Sequence, residues 1–372
     1  MRLCHFSDSH LGAGESHPRR GQSGLTLRQE DIVASFIQAV DKIIQLKPDI
    51  CIHAGDLFHS VRPANKILAI AGQQLYRLSV THQIPTIVIA GNHDSPKQAH
   101  IDAALNIFAG IDNLYVAANC PFKEIVIGNV RIIAIPHAND ATEMKETVKL
   151  CTPEPSFVYN LLVTHGVAAD MPQFSMMELG EMELPVDAMQ RFDYTALGHY
   201  HNFTKVAERV YYAGSTDRLS LSERIAAKGF AEVTFEPFEV TFHELTTRPM
   251  VDMSPIDATG LRGDQLASVI AERMKDQKAE EQIIRLTITG VTPETMNTVP
   301  PQFFRELRQD AFSLDIRFEK AAPETKPSQF GRAAFGRLDE EFAGYLTKAN
   351  LSGLDKEALL AEATALLAPD EE

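Results

Sequence analysis

Five short apolar runs in this chain each end in an aspartate, a histidine or an asparagine, and that repeated junction limits the folds open to it. RLCHF (2–6) leads into Ser7-Asp8-Ser9-His10, ICIHA (50–54) into Gly55-Asp56, and TIVIA (86–90) into Gly91-Asn92-His93-Asp94. NLLVT (160–164) leads into His165-Gly166, and YTAL (194–197) into Gly198-His199-Tyr200-His201. VRIIAI (130–135) and RVYYAG (209–214) are further strand-like runs. Helix-period segments at 30–46, 64–79 and 97–108 lie between the early strands, the first carrying Ile32, Phe36, Val40 and Ile43. Strands alternating with helices imply an α/β domain. In such sheets ligands gather in the crevice beyond the strand ends, so one site can collect all five junctions.

FAEVTF and FEVTFHEL, with period-2 patterning, read as closing antiparallel strands. At Arg248-Pro249 the style changes: 262–276 reads as a helix, 282–289 as a strand, 300–310 as a helix and 313–319 as a strand. The expected division is therefore a catalytic domain over 1–247, a smaller α+β unit over 248–320, a linker rich in Pro, Lys, Ala and Gly over 321–336, and short amphipathic helices within 337–372.

The formal net charge of -15 argues against a uniformly DNA-attracting surface, since phosphate contacts favour Lys and Arg. Its distribution weakens that objection. Residues 1–100 hold ten Lys and Arg against eight Asp and Glu, whereas 337–372 hold three against nine. An acidic tail suits a protein partner better than DNA. No apolar run approaches the roughly 20 residues that a membrane helix needs. The opening MRLCHFSDSH lacks the basic and apolar regions of a secretory signal. Cys4, Cys51, Cys120 and Cys151 form no CxxC pair, and they read as reduced residues of a cytoplasmic protein.

Taken singly, these polar residues have ordinary readings: a histidine after a strand packs in a core or loop, and an aspartate before a helix is an N-cap. The ordered set DxH, GD, GNHD, HG and GHxH, each after an apolar run, is not an ordinary outcome. Carboxylate, imidazole and amide oxygen together suit Mn²⁺, Fe²⁺ or Zn²⁺. Asp8, His10, Asp56, Asn92, His165, His199 and His201 are too many for one ion, but two divalent ions sharing Asp56 would use them all. Such a pair can clamp a phosphoryl group and activate a water.

These motifs resemble the calcineurin-like metallophosphoesterases, and within them the SbcD or Mre-type nucleases of double-strand-break repair. Gly55-Asp56-Leu57-Phe58-His59 followed by Arg62-Pro63, and Ala213-Gly214-Ser215-Thr216-Asp217-Arg218 followed by Ser222-Glu223, carry the resemblance to that branch. The wider superfamily commonly ends its GD motif in Asp, where His59 stands here. The resemblance implies a four-layer sandwich of two mixed β-sheets flanked by helices, with a smaller α+β cap and C-terminal helices. It implies that Asp8, His10 and His201 hold one metal, that Asn92, His165 and His199 hold the other, and that Asp56 bridges, with Mn²⁺ the expected ion. It further implies that His93 protonates the leaving 3′ oxygen, that Asp94 orients His93, and that His59 positions the DNA phosphate. Arg19, Arg20, Arg62, Lys66 and Arg218 are the candidate DNA contacts.

The function expected on this basis is exonuclease and endonuclease action on duplex DNA ends and hairpins, as a homodimer beside an SbcC-like ABC-type ATPase whose coiled coil takes up the C-terminal helices. Two other readings compete: hydrolysis of small phosphoesters or phosphoproteins, and a mainly architectural DNA-bridging role. The α+β unit and the tail favour the first reading, and the full set of seven ligands counts against a degenerate scaffold. His5 and His53 are expected in the core by parity. The Met-rich stretch 170–185 is either a loop over the site or a plain surface loop.

Overall fold

A strand that is apolar on both faces needs a helix layer on one side and a second sheet on the other. The computed structural model describes residues 1–98, 100–169, 183–275 and 277–320, so the expected linker, the C-terminal helices and most of 170–185 lie outside the described residues. The chain begins β1 (Arg2–Phe6), α1 (Leu27–Leu46), β2 (Ile50–His53), α2 (Asn65–Tyr76), β3 (Thr86–Ile89), β4 (Leu114–Ala117), β5 (Lys123–Ile127), β6 (Val130–Ile135) and α3 (Ala141–Leu150). It continues as β7 (Tyr159–His165), β8 (Val167–Ala168), β9 (Glu183–Leu184), α4 (Val186–Met189), β10 (Tyr194–Gly198), β11 (Thr204–Ala207), β12 (Val210–Tyr212), β13 (Gly229–Phe235) and β14 (Phe238–Glu244). The remaining elements are β15 (Met250–Asp257), α5 (Gly263–Lys275), β16 (Ile283–Val291), α6 (Pro293–Thr298), α7 (Pro301–Asp310) and β17 (Ser313–Lys320).

Two six-stranded sheets form, in the orders β14-β13-β1-β2-β3-β4 and β11-β12-β10-β7-β6-β5. Strands β1 to β4 are parallel in the first and β6, β7, β10 and β12 in the second, with antiparallel strands completing each. Alternate side chains of one strand serve different cores. Leu3, Ile50, Ile52, Ile87 and Ile89 meet Ile132, Leu161, Val163 and Tyr194 between the sheets, while Cys4, Phe6, Cys51 and Val88 pack under α1 and α2. Ile133, Leu162 and Leu197 face α3 and α4 on the other side. The expected four layers, helix, sheet, sheet, helix, are present.

Helix α1 buries Ile32, Phe36, Val40 and Ile43 as its periodicity predicts, and starts earlier than the apolar pattern because Thr26 and Gln29 form a capping box. Among the described residues of 97–108 the expected helix does not form, and Ala104–Phe108 coils as a 3₁₀ turn. Asp102 Oδ1 accepts from Ala103 N and from the side chains of Asn106 and Asn119, a local set of bonds that competes with a helical backbone. The segment still buries Leu105 and Phe108, so apolar spacing alone was ambiguous.

Strands β15, β16 and β17 make a separate parallel sheet with its own core, including Leu266, Ile270, Ile284, Leu286 and Ile288. Strand β15 escaped the sequence reading because Pro255 and a register shift between Met253 and Ile256 interrupt its alternation. This unit is tied to α1 at the Arg248-Pro249 transition. The Arg248 guanidinium holds both oxygens of Asp31 at 2.7 Å and lies 3.5 Å over the Phe312 ring. No helix among the described residues is long and apolar enough to cross a membrane.

His5 and His53 are fully buried, as their parity predicts, His5 beside the Tyr194 hydroxyl at 2.9 Å and His53 beside Ser9 Oγ at 3.0 Å. Burial pushes both imidazoles down to about 3. An unfolded histidine titrates near about 6.5, so between those values the unfolded chain binds more protons than the folded one. The stability these residues contribute is therefore present above about pH 6.5 and lost as pH falls toward about 3. The urea midpoint of metal-free protein is expected to drop steadily from about pH 7 to about pH 4, and His5→Gln to flatten that slope. An unchanged slope in the variant would assign the titration elsewhere.

Candidate metal centre

The parallel strands of each sheet end on the same side, and the two sheets deliver their polar residues to one place. Asp8 and His10 follow β1, Asp56 follows β2, Asn92 and His93 follow β3, His165 ends β7, and His199 and His201 follow β10. Four of these sit at positive φ: Asp8 at 51°, His10 at 44°, Asp56 at 55° and His199 at 103°. Such backbone costs about 1–3 kcal/mol per residue and persists only where surrounding contacts impose it. Here the turns hold one another. Asp8 N donates to Gly55 O at 3.0 Å and His10 N to Asp56 O at 3.0 Å. His93 N donates to Asp56 Oδ1 at 2.8 Å, and His199 N to Asp8 Oδ1 at 3.0 Å. Glycine is required at two close approaches: a Cβ on Gly91 would fall 2.1 Å from Asp56 Oδ1, and one on Gly198 2.0 Å from Ala54 O.

The orientation of the side chains tests whether a cation fits. His165 Nδ1 donates to Ala54 O at 2.9 Å, so Nε2 is the nitrogen left to face a cation. That Nε2 faces Asn92 Oδ1 at 2.9 Å and Asp56 Oδ2 at 3.5 Å. His199 Nδ1 approaches the same Asn92 oxygen at 3.1 Å. On the other side of Asp56, His10 Nε2 lies 3.5 Å from Asp56 Oδ2 and 3.1 Å from His201 Nε2, whose Nδ1 is engaged by Glu223 at 3.0 Å. Imidazole nitrogens and side-chain oxygens converge in both groups, with Asp56 common to them. Lone pairs turned inward on one another are what a divalent cation would satisfy. Asp8, His10 and His201 form one set of close ligand atoms, and Asp8, Asp56 and His165 another.

The electrostatics agree. Burial alone would raise the Asp56 carboxyl, but His165, His10 and His93 hold it well below the usual carboxylate range. Burial would lower His165, yet the Asp56 and Asp8 carboxylates bring it up to about 9. Without a metal, a proton takes the place of positive charge between them.

His93 and His59 stand beside this cluster, their rings stacked 5.3 Å apart, with His93 4.7 Å from the His10 ring. His93 Nδ1 donates to the main-chain oxygen of His59 at 2.9 Å, leaving Nε2 free. The expectation that Asp94 orients His93 is corrected. The Asp94 carboxylate accepts instead from Leu57 N, Phe58 N and Gly91 N at 2.9–3.1 Å, clamping the two ligand turns together. A short carboxylate facing three amides within reach satisfies them before it can reach a neighbouring ring.

The candidate DNA contacts are scattered. Arg62 is exposed and lines a cleft of about 540 Å³ with Asn92, His93, Pro96, Lys97 and Ile101, and Lys66 is exposed on α2. Arg20 donates to Gly24 O at 3.0 Å. Arg19 donates to the Ala311 and Phe312 carbonyls at 2.7 and 2.8 Å, which places it against the α+β unit. Arg218 is engaged by Thr247 and, at 3.0 Å, by Ala226 O.

Two residues near the cluster had no assigned role from sequence. Glu223 stood in a named motif without a partner. His137 follows β6 as Ile135-Pro136-His137, the same strand-end signal as the other five; burial first, then the His165 imidazole, lower it to about 4.

A model of the calcineurin-like phosphoesterase family matches residues 1–203. The DNA double-strand break repair protein Mre11 of Methanococcus maripaludis is 30% identical over 242 residues, covering 60% of this chain and 59% of the relative. The protein of that name from Methanocaldococcus jannaschii is 29% identical over 251 residues, covering 63% of each. That of Methanosarcina mazei is 25% identical over 367 residues, covering 95% of this chain and 55% of the relative. The chain thus spans less than two thirds of the length of each of these relatives.

Proposed function

The chain belongs to the calcineurin-like phosphoesterase family, and from that premise we propose that it is a metal-dependent DNA nuclease that processes double-strand-break ends and hairpins. One observation carries the reading: Asp56 stands between two groups of inward-facing acceptors, His10 with His201 and His165 with Asn92. Asp8, His10 and His201 would hold one ion, Asn92, His165 and His199 a second, and Asp56 both. When bound, two such ions, expected to be Mn²⁺, would supply Lewis acidity at the phosphoryl oxygens and lower the pKa of a water.

The chain's own residues do the rest. His93, its Nδ1–H fixed by the His59 carbonyl, turns Nε2 outward and in its protonated form gives a proton to the leaving oxygen. Arg62, Lys66 and the His59 ring are exposed, which leaves them open to contact a backbone phosphate in this reading. DNA as substrate is supported by the relatives' repair role and by the α+β unit docked on the 17–31 segment, which a small-molecule esterase has less need of. In this reading 1–247 is the nuclease domain, 248–320 a cap that contacts DNA, and 321–336 a linker to helices 337–372. Those helices dock on the coiled coil of an SbcC-like ABC-type ATPase in a cytoplasmic assembly built on a homodimer.

Linear duplex DNA and a chromogenic phosphodiester, each with Mn²⁺ and with chelator, provide the test. DNA degradation that needs Mn²⁺ is the expected outcome. Turnover of the small diester with intact DNA would leave the hydrolytic centre standing and remove the DNA substrate.

A further inference from the structure

The stretch Ala213–Arg218 with Ser222-Glu223, which carries the resemblance to the nuclease branch, is little used in the mechanism above, yet Glu223 pairs with the buried Lys228 against a proposed metal ligand. Glu223 Oε1 accepts a hydrogen bond from His201 Nδ1 at 3.0 Å and a weaker one from Ser220 Oγ at 3.3 Å. Its Oε2 takes Lys228 Nζ at 2.6 Å and Leu219 N at 3.2 Å. Lys228 is 1% exposed, and its remaining donors go to His201 O at 2.8 Å and Ser215 Oγ at 3.0 Å. The pair therefore grips both the ring and the backbone of His201. The same stretch reaches Asp8, since Ser7 Oγ bonds both Asp8 Oδ2 at 2.5 Å and Gly214 O at 3.2 Å.

We propose that Glu223 and Lys228 are positioning residues that fix the proton of His201 on Nδ1 and so hold its Nε2 lone pair toward the ion shared with Asp8 and His10. The proposal rests on the metal reading above. A buried lysine on Glu223 keeps that carboxylate ionised and acceptor-only, so the imidazole nitrogen facing it must carry the hydrogen. His201 Nε2 then points at His10 Nε2, 3.1 Å away, with no proton of its own. Partners of this kind commonly contribute about 10- to 100-fold in metal affinity.

Glu223→Gln gives the two possible roles opposite signatures. A glutamine has one acceptor and one donor end. With its oxygen toward His201, its NH₂ would face an ammonium and the Leu219 N–H. With its oxygen toward Lys228 and Leu219, its NH₂ donates to His201 Nδ1 and drives the ring proton onto Nε2. The charged donor and the fixed amide together favour the second arrangement, which caps the ligand atom with hydrogen. Glu223→Ala only releases the ring to choose its tautomer.

Titration of MnCl₂ into metal-free full-length protein, followed by calorimetry, reads the outcome directly, with the melting temperature of each metal-free protein recorded alongside. Wild type is expected to bind two ions. Glu223→Gln is expected to weaken one of them at least about 10- to 100-fold while the other is kept, and to do so more than Glu223→Ala. If the pair serves only to hold the loop, the isosteric glutamine is the milder change and affinity for both ions survives in any folded variant. That result overturns the proposal, and Glu223→Gln alone delivers it should the alanine variant not fold. A wild type that binds no Mn²⁺ overturns the metal reading instead, a distinguishable failure.

Discussion

Asp56→Asn is expected to abolish hydrolysis, by at least about 10³-fold, and to remove both ions together. Asparagine keeps the size and one oxygen of aspartate, so the His93 N bond to Oδ1 (2.8 Å) can survive and the closely approaching Gly91 is not displaced. What it removes is the negative charge on which two groups of acceptors converge. Removing a single donor from a preorganised site costs about 10²–10³ in rate, and a shared carboxylate acts on both sides at once. In the metal-free protein the change also removes the carboxylate that raises His165, so the metal-free fold is expected to lose some stability near neutral pH. Metal content after dialysis, melting temperature and DNA degradation with Mn²⁺ separate these effects. An inactive variant that retains two ions would show that Asp56 is not the bridge.

His93→Ala is expected to lower the rate by about 10²–10⁴ while both ions stay bound, since this is the range for a positioned general acid. The contrast with Asp56 follows from geometry. His93 Nδ1 is committed to the His59 carbonyl, and its ring lies edge-on to His10 outside the opposed acceptors. Loss of the ring should therefore leave ligand geometry intact and appear in turnover, with substrate affinity little changed. His59→Ala keeps the carbonyl that orients His93, so it is expected to cost less than His93→Ala. If the His93 variant also loses metal, the residue is a ligand, and the acid role falls.

The strand ends were legible because burial on both faces writes a continuous apolar run, and such a run stops where polar chemistry starts. Expectations that relied on sequence neighbours fared worse. Asp94 adjoins His93 yet serves Leu57, Phe58 and Gly91, while the main-chain oxygen of His59 serves His93. Arg19, read as a phosphate contact from its charge, is spent on carbonyls about 290 residues away. The helix predicted over 97–108 yielded to the side-chain bonds of Asp102.

Sequence by itself determined the α/β class, the parity that buries His5 and His53, and the set of residues that meet at one crevice. These depend on period and composition, which local chain geometry converts into faces. Tertiary structure alone decided which atom faces which: the tautomers of His165 and His201, the strained turns at Asp8, His10, Asp56 and His199, and the Lys228–Glu223 hold on His201. Those choices arise between segments far apart in the chain, where hydrogen-bond partners are set by packing two sheets end to end, and no one-dimensional pattern carries that information.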